Sequence, residues 1–204
     1  MKIVIVDYGM GNIHSVARKM KLLGLNYCIS SKAEDILNAD RIILPGVGHF
    51  GKAMNNLNEL QLIDPLNKAV LVKKIPILGI CLGMQLMARS SEEGESAGLG
   101  WFDAVVVPFS VSDTFKYKVP HTGWNTAIKQ KESAINLNLL DEESFYFVHS
   151  FHFVCAEKLD VLHTTIYDYE FTSAVKKENI LGVQYHPEKS HDAGLTLLRN
   201  FIYG

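Results

Sequence analysis

The sequence predicts an α/β fold of three layers, in which a mostly parallel sheet carries helices on both faces and has an antiparallel extension. In the first half of the chain, short β-branched runs alternate with helical patterns, which is typical of parallel strands joined by crossover helices. The second half contains strand patterns with few helices between them, which favours antiparallel pairing. The chain has 204 residues, 48% of them hydrophobic. This length and composition predict one domain over residues 1–204 with enough apolar material for a full core.

The first half reads as four strands with helices after them. The strands are predicted over residues 2–6, 26–30, 41–44 and 75–80. A first helix follows the Gly9-Met10-Gly11 turn, with Asn12 as its N-cap and Gly24 as its stop signal. A second helix is predicted over residues 31–38 with Ser31 as its cap. A third helical stretch is interrupted at Asp64-Pro65, and a fourth begins at Cys81.

The second half reads mainly as strands. They are predicted over residues 101–109, 124–129, 145–154, 162–167 and 180–185. One last helix, over residues 192–202, ends the chain. No internal repeat, low-complexity tract or linker interrupts this pattern.

Composition disfavours several classes of function. Lys and Arg number 20 and Asp and Glu number 22, for a formal charge of −2. Without a long basic run, we expect no nucleic-acid partner. Apolar runs are too short to span a membrane, and the run Ile3–Val6 is too short for a signal peptide. The three cysteines show no CxxC spacing, which indicates a reducing compartment, so a cytoplasmic location is expected.

The segment Gly79-Ile80-Cys81-Leu82-Gly83 carries the strongest chemical signal. A nucleophile between two glycines at a strand-to-helix junction is the elbow arrangement, in which small neighbours allow a sharp turn. At such a junction, helix N–H groups favour a thiolate at Cys81, and the N–H of Leu82 points towards an oxyanion. A buried core cysteine beside packing glycines is the structural alternative.

A cysteine nucleophile needs a base and a group that orients the base, and residues 186–188 contain both. The residue before a proline favours extended backbone, so His186 and Glu188 should project to one side and Pro187 to the other. We expect His186 to take the thiol proton and Glu188 to hold the imidazole tautomer. A solvated turn after a strand is the alternative for this segment alone.

A third motif, Pro45-Gly46-Val47-Gly48, also follows a strand and should therefore lie at the same carboxyl edge of the sheet. The glycines on both sides leave the Val47 peptide free to direct its N–H into the site as a second oxyanion donor. A tight turn that needs glycine explains the same residues.

Metal and dinucleotide sites are disfavoured. His149 and His152 stand three apart in a predicted strand, so they should face opposite sides of the sheet, which argues against a metal site. The turn at Gly9 and Gly11 lacks the third glycine of a dinucleotide loop, because position 14 is His14.

The three motifs, in this order, resemble the class I triad glutamine amidotransferases. The stretches that carry this resemblance are Pro45-Gly46-Val47-Gly48, residues 79–85 and Gln184-Tyr185-His186-Pro187-Glu188. Further stretches resemble the glutaminase subunits of imidazole glycerol phosphate synthase, and these are residues 7–12, 48–50, 119–125, 146–150 and 186–190. The resemblance extends over essentially the whole chain.

The resemblance implies a flavodoxin-like fold and a glutaminase. Cys81 would attack the side-chain amide of L-glutamine, and water would hydrolyse the glutamyl thioester. The ammonia would pass to a separate (β/α)8-barrel cyclase subunit in a heterodimer. That subunit would make imidazole glycerol phosphate and an aminoimidazole carboxamide ribonucleotide in L-histidine biosynthesis. No cofactor is implied.

The resemblance also assigns residues outside the triad. Gly46, Gly48, Gln85 and the backbone of His149 and Ser150 would bind glutamine. A second group would lie towards the partner subunit, and its members are Asn12, Trp124 and Lys189.

Two alternatives remain at this stage. The stretch Gly100 to Ala104 and the pair Phe151-His152 depart from the usual histidine-pathway pattern. A paralogue that supplies ammonia to a sugar-amidating enzyme of surface-glycan biosynthesis would share the triad. A non-catalytic flavodoxin-like binding module would share only the fold.

Overall fold

The computed structural model describes all residues, 1–204. Its first half alternates strands and helices as predicted. No helix in it is both long and apolar enough to cross a bilayer. In chain order the elements are β1 (Ile3–Val6), α1 (Ile13–Leu22), β2 (Tyr27–Ser30), α2 (Ala33–Leu37), β3 (Arg41–Gly46), α3 (Phe50–Glu59), α4 (Ile63–Asn67), β4 (Ile77–Cys81) and α5 (Leu82–Gln85).

The second half consists of strands and one long helix. The last strand returns to the parallel part of the sheet, and the final helix packs on one of its faces. The elements are β5 (Ser90–Ser91), β6 (Ser96–Ala97), β7 (Ala104–Pro108), β8 (His121–Lys129), β9 (Glu142–His149), β10 (Phe151–Cys155), β11 (Val161–Tyr167), β12 (Tyr169–Lys177), β13 (Ile180–Val183) and α6 (His191–Tyr203).

The sheet has a parallel half and an antiparallel half that meet at β13. Strands β2, β1, β3, β4 and β13 lie side by side in this order and are parallel. Strand β12 pairs with β13 in the antiparallel sense, and the sheet continues through β10 and β7. A branch of β11, β8 and β9 leaves from β12. The order of the parallel strands is that of flavodoxin-like folds.

Burial on both faces explains why the parallel strands are continuous apolar runs. All residues of β1, β4 and β13 are buried. On one face of the sheet, Phe50 and Leu57 of α3 belong to a core cluster of 28 residues. On the other face, Met20 of α1 and Phe201 of α6 belong to a cluster of 24 residues. The predicted three-layer architecture is therefore confirmed.

Of the two predicted helix caps, one stands at the predicted position and the other is wrong. Asn12 stands at the N-terminus of α1, but its side chain makes no capping hydrogen bond. Its Nδ2 donates instead to Oε1 of Glu188 at 3.4 Å. Helix α2 begins at Ala33 with Lys32 at its N-cap position, so Ser31 lies outside the helix.

The strands of the second half differ from the prediction in three places. The short strands β5 and β6 were not predicted. Strand β12 was not predicted, although it joins the two halves of the sheet. The predicted strand over residues 145–154 is divided at Ser150 into β9 and β10. Because of this break, His149 and His152 do not face opposite sides. Both rings pack against Phe109, with centroids 5.1 and 4.8 Å away.

Candidate active site

Cys81 occupies a strained elbow between β4 and α5. Its backbone has φ 55° and ψ −112°, a region that non-glycine residues rarely adopt. Close packing explains the glycines beside it. A Cβ on Gly83 would lie 1.8 Å from the Leu44 carbonyl oxygen, and one on Gly79 would lie 2.6 Å from the Gly83 oxygen. The turn therefore forms only where the chain has no side chain at these two positions.

His186 and Glu188 form the buried pair that the sequence predicts. Nδ1 of His186 lies 2.8 Å from Oε1 of Glu188, and the side chains are each 1% exposed. The backbone is different from the prediction, because Pro187–Lys189 forms a 3-10 turn rather than an extended strand. The turn still directs both side chains to one side. The geometry makes Nδ1–H of His186 the donor to the carboxylate, and leaves Nε2 without a hydrogen-bond partner.

The electrostatic environment of His186 favours its protonated form. Burial alone lowers the pKa of the imidazole, but the nearby Cys81 and Glu188 outweigh this effect and raise the pKa to about 10. Strand pairing brings these groups together, because β4 and β13 are neighbours with Ile80 opposite Val183. The site therefore favours a proton on His186.

Gln85 and Gln184 connect Cys81 to the strand break at Ser150. Nε2 of Gln184 donates to Sγ of Cys81 at 3.6 Å. Nε2 of Gln85 donates to Oε1 of Gln184 and to the Phe151 carbonyl, each at 3.0 Å. Both amide hydrogens of Gln85 are thus used, and its carbonyl oxygen is the atom available to a ligand. The sequence assigned no role to Gln184, although this residue begins the motif Gln184-Tyr185-His186-Pro187-Glu188.

A cleft of about 410 Å³ opens above Cys81. Most of the predicted substrate-binding residues lie on its wall. Gly46 is the exception, since it is buried beneath the wall. The lining residues are Val47, Gly48, Cys81, Leu82, Gln85, Glu93, Pro120, Val148, His149, Ser150 and Phe151.

Glu93 is a residue of this cleft that the sequence reasoning missed. Its Oε2 accepts a hydrogen bond of 2.7 Å from the Phe50 N–H at the start of α3. His149 is buried, and burial lowers its pKa well below the usual range, so its ring is neutral. Glu93 is therefore the charged side chain of the cleft wall. No local sequence motif marks it, because folding alone brings the segment after β5 to the elbow.

The two predicted oxyanion donors lie beside each other. Gly46 on β3 is paired in register with Cys81 on β4. Val47 and Leu82 are the next residues along these parallel neighbours, and both line the cleft. Their placement fits a pair of N–H donors that face one bound oxygen, and their role remains a prediction.

The three residues predicted at a partner interface lie around the outer side of the triad. The indole of Trp124 is 49% exposed and stacks on His191 with ring centroids 5.1 Å apart. Nζ of Lys189 lies 5.5 Å over the Tyr146 ring, whose edge also meets Trp124. Asn12 contacts Glu188 of the triad directly. These residues place an aromatic and basic surface beside the Glu188 carboxylate.

The model of the class-I glutamine amidotransferase family matches residues 4–204. The chain belongs to this family. Among curated relatives, the imidazole glycerol phosphate synthase subunit HisH 2 of Methanococcus maripaludis is 50% identical, with 98% of each chain covered. The HisH subunit of Sulfurimonas denitrificans is 48% identical over 98% of this chain and 96% of its own.

Solved structures show the same fold at low sequence identity. A crystal structure described as glutamine amidotransferase has a TM-score of 0.76 at 19% identity, and covers 98% of this chain and 96% of its own. A glutamine amidotransferase of Thermotoga maritima has a TM-score of 0.61 at 16% identity, with 99% of this chain and 80% of its own covered. These likenesses confirm the glutamine amidotransferase fold.

Proposed function

We propose that this glutamine amidotransferase is the glutaminase subunit of an imidazole glycerol phosphate synthase. It hydrolyses L-glutamine to glutamate and ammonia, and supplies the ammonia to a (β/α)8-barrel cyclase subunit in L-histidine biosynthesis. The observation that carries the proposal is the buried pair of His186 and Glu188 behind a strained Cys81 at the base of a cleft. Curated relatives named HisH that match almost the full chain support this acceptor.

The first step forms a thioester and releases ammonia. His186 holds the proton of the Cys81 thiol, and Sγ attacks the amide carbon of the glutamine side chain. The C=O electron pair moves to oxygen, where the N–H groups of Val47 and Leu82 stabilise the negative charge. As the tetrahedral intermediate collapses, the C–N bond breaks and His186 gives its proton to the leaving nitrogen.

The second step restores the enzyme. A water molecule gives a proton to His186 and attacks the thioester carbon, and the C–S bond then breaks to release glutamate. The sulfur leaves as a thiolate beside the protonated imidazole. Glu188 keeps Nδ1–H of His186 bonded through both steps, so Nε2 is the nitrogen that takes and gives the proton.

The cleft provides the groups needed to hold an amino acid. Glu93 supplies a negative charge for the α-ammonium group of glutamine, because it is the charged side chain of the wall. Gln85 presents its carbonyl oxygen, and the segment at His149 and Ser150 presents backbone groups at the strand break. Gly48, with φ 106°, leaves the cleft entrance without a side chain.

The outer surface beside the triad fits a partner protein. Tryptophan and tyrosine are enriched at the centre of protein interfaces, and an exposed indole beside a tyrosine ring fits such a centre, with the lysine at its polar rim. Because Asn12 contacts Glu188, a partner bound at Asn12, Trp124 and Lys189 would act directly on the orientation of the triad.

The test is glutamate production by the purified chain, alone and with a histidine-pathway cyclase subunit and its nucleotide ligand. We expect strong activation by the partner, and a loss of glutamate production in Cys81→Ala. Cys155→Ala is the matched control, since this half-buried cysteine lies outside the cleft. Wild-type activity in Cys81→Ala would overturn the assignment of the nucleophile.

A second acceptor is favoured by one observation. Methanococcus maripaludis has two subunits named HisH, and the chain is 50% identical to HisH 2 and 41% identical to HisH 1. A second copy is free to serve another ammonia acceptor, such as a sugar-amidating enzyme. Cys81-dependent activity that the cyclase fails to stimulate would support this candidate over the histidine pathway.

A further inference from the structure

Tyr8 is a buried residue beside the elbow that the proposed mechanism does not use. It follows β1, which is paired with β3 in the sheet, and its side chain is completely buried. Its backbone carbonyl accepts a hydrogen bond of 3.0 Å from Nδ2 of Asn56. Its hydroxyl has no hydrogen-bond partner. Buried tyrosine hydroxyls usually find a partner, so this one requires an explanation.

The hydroxyl lies where the segments that carry the two predicted oxyanion donors, Val47 and Leu82, meet. A Cβ on Gly46 would stand 2.5 Å from the Tyr8 hydroxyl oxygen, 2.8 Å from the Gly83 nitrogen and 2.8 Å from Cβ of Leu82. The hydroxyl therefore touches the backbone of Gly46, whose peptide bond carries the Val47 N–H. Leu82, whose N–H is the other predicted donor, also lies beside this point.

The hydroxyl is suited to donate a hydrogen bond. Burial and the nearby Cys81 raise the pKa of Tyr8 well above its usual range, so the group keeps its proton. In a trans peptide the N–H and C=O point in opposite directions. When the Val47 N–H faces an oxyanion in the cleft, the Gly46 carbonyl must point away from the cleft, towards the protein interior where the Tyr8 hydroxyl lies.

We propose that Tyr8 is a positioning residue for the oxyanion hole, whose hydroxyl donates to the Gly46 carbonyl when the Val47 N–H faces the reacting oxygen. This role rests on the proposed glutaminase function. In the present structure the hydroxyl makes no such bond. The hydroxyl gains its partner as the oxyanion forms. The bond therefore stabilises the transition state and adds nothing to substrate binding.

Tyr8→Phe removes only the hydroxyl and tests the proposal. With the activating partner present, kcat should fall by about 5- to 10-fold, the effect of one neutral hydrogen bond, and KM for glutamine should stay within about twofold. The melting temperature should stay the same or rise, because the variant no longer buries an unpaired hydroxyl. A variant with lower activity and equal or higher stability would show that the Tyr8 hydroxyl positions the oxyanion hole, because a simple loss of packing would lower stability as well.

Alkylation of Cys81 by iodoacetamide, followed on the Cys81 peptide by mass spectrometry, gives a second readout. This reaction forms no oxyanion, so its rate should be the same in Tyr8→Phe and in wild type. The matched control is Tyr27→Phe, which changes an exposed tyrosine of β2 and should leave kcat unchanged.

Three results would overturn the inference. An unchanged kcat in Tyr8→Phe, beside an active wild type, would show that the hydroxyl only fills space, and the proposed function would stand. A parallel fall in turnover and alkylation would place its action on the thiol instead. An inactive wild type in the presence of the partner would overturn both this role and the proposed function.

Discussion

The strained backbone at Cys81 predicts that the Cys81→Gly variant is more stable than the Cys81→Ala variant. Cys81→Gly and Cys81→Ala both lack the nucleophile, so neither should produce glutamate. They differ only in the Cβ, which clashes with the backbone at φ 55° and ψ −112°. Glycine accepts positive φ without strain, whereas alanine retains the full penalty.

The expected difference follows from two opposing effects. A non-glycine residue in such a conformation costs on the order of 1–3 kcal/mol. Glycine loses more backbone entropy on folding, which offsets about 0.4–1 kcal/mol of this gain. We therefore expect Cys81→Gly to be about 1–2 kcal/mol more stable than Cys81→Ala. For a chain of this size, that difference raises the melting temperature by roughly 2–8 °C.

Thermal unfolding at pH 7, followed by circular dichroism, measures this difference. Cys155→Gly and Cys155→Ala are the control pair, because Cys155 ends β10 without a positive φ. There the order should reverse, with the glycine variant less stable by about 0.5–1 kcal/mol. If Cys81→Gly melts at or below the temperature of Cys81→Ala, the elbow stores no strain and the reasoning is wrong.

Two further predictions concern acid stability and the partner surface. Burial, aided by Lys129, lowers the pKa of His163 from 6.5 to about 4. The unfolded chain therefore binds the proton first, and stability falls as pH drops from about 6.5 to 4, by roughly 3 kcal/mol. Urea unfolding at pH 7 and pH 4 should show a smaller loss in His163→Gln, and an equal loss would refute this. Trp124→Ala should weaken partner binding at least about tenfold in a titration, and an unchanged Kd would remove Trp124 from the interface.

Local sequence signals were sufficient for the parallel half of the fold, for the elbow at Cys81 and for the contact between His186 and Glu188. Apolar runs that end at glycines identify strands buried on both faces, and residues 79–83 mark the elbow by steric necessity. The pairing of His186 with Glu188 was predicted correctly, although the backbone between them was not. Side chains two residues apart can meet on a 3-10 turn as well as on an extended strand.

Features that depend on pairing between distant segments were not predictable. Strand β12 follows β11 after the single residue Asp168, whose φ of 64° makes the turn, and no glycine or proline marks it. The break at Ser150 is invisible to an alternating pattern. The side chain of Asn12 was assigned to its own helix, but its partner is Glu188, 176 positions away. Glu93 reaches the cleft, and Tyr8 reaches the backbone of Gly46 beneath it, through strand order rather than local sequence.

The proposed nucleophile and base lie on different strands from the aromatic part of the proposed partner surface. Cys81 ends β4 and His186 follows β13, two strands that are paired in the sheet, whereas Trp124 and Tyr146 belong to the branch of β8 and β9. Substitutions on the outer face of that branch can change which protein binds there. They leave the pairing of β4 with β13 unchanged. We expect a chimera that keeps β4 and β13 and exchanges residues of the β8–β9 hairpin to supply ammonia to a different partner protein, with its glutaminase site unchanged.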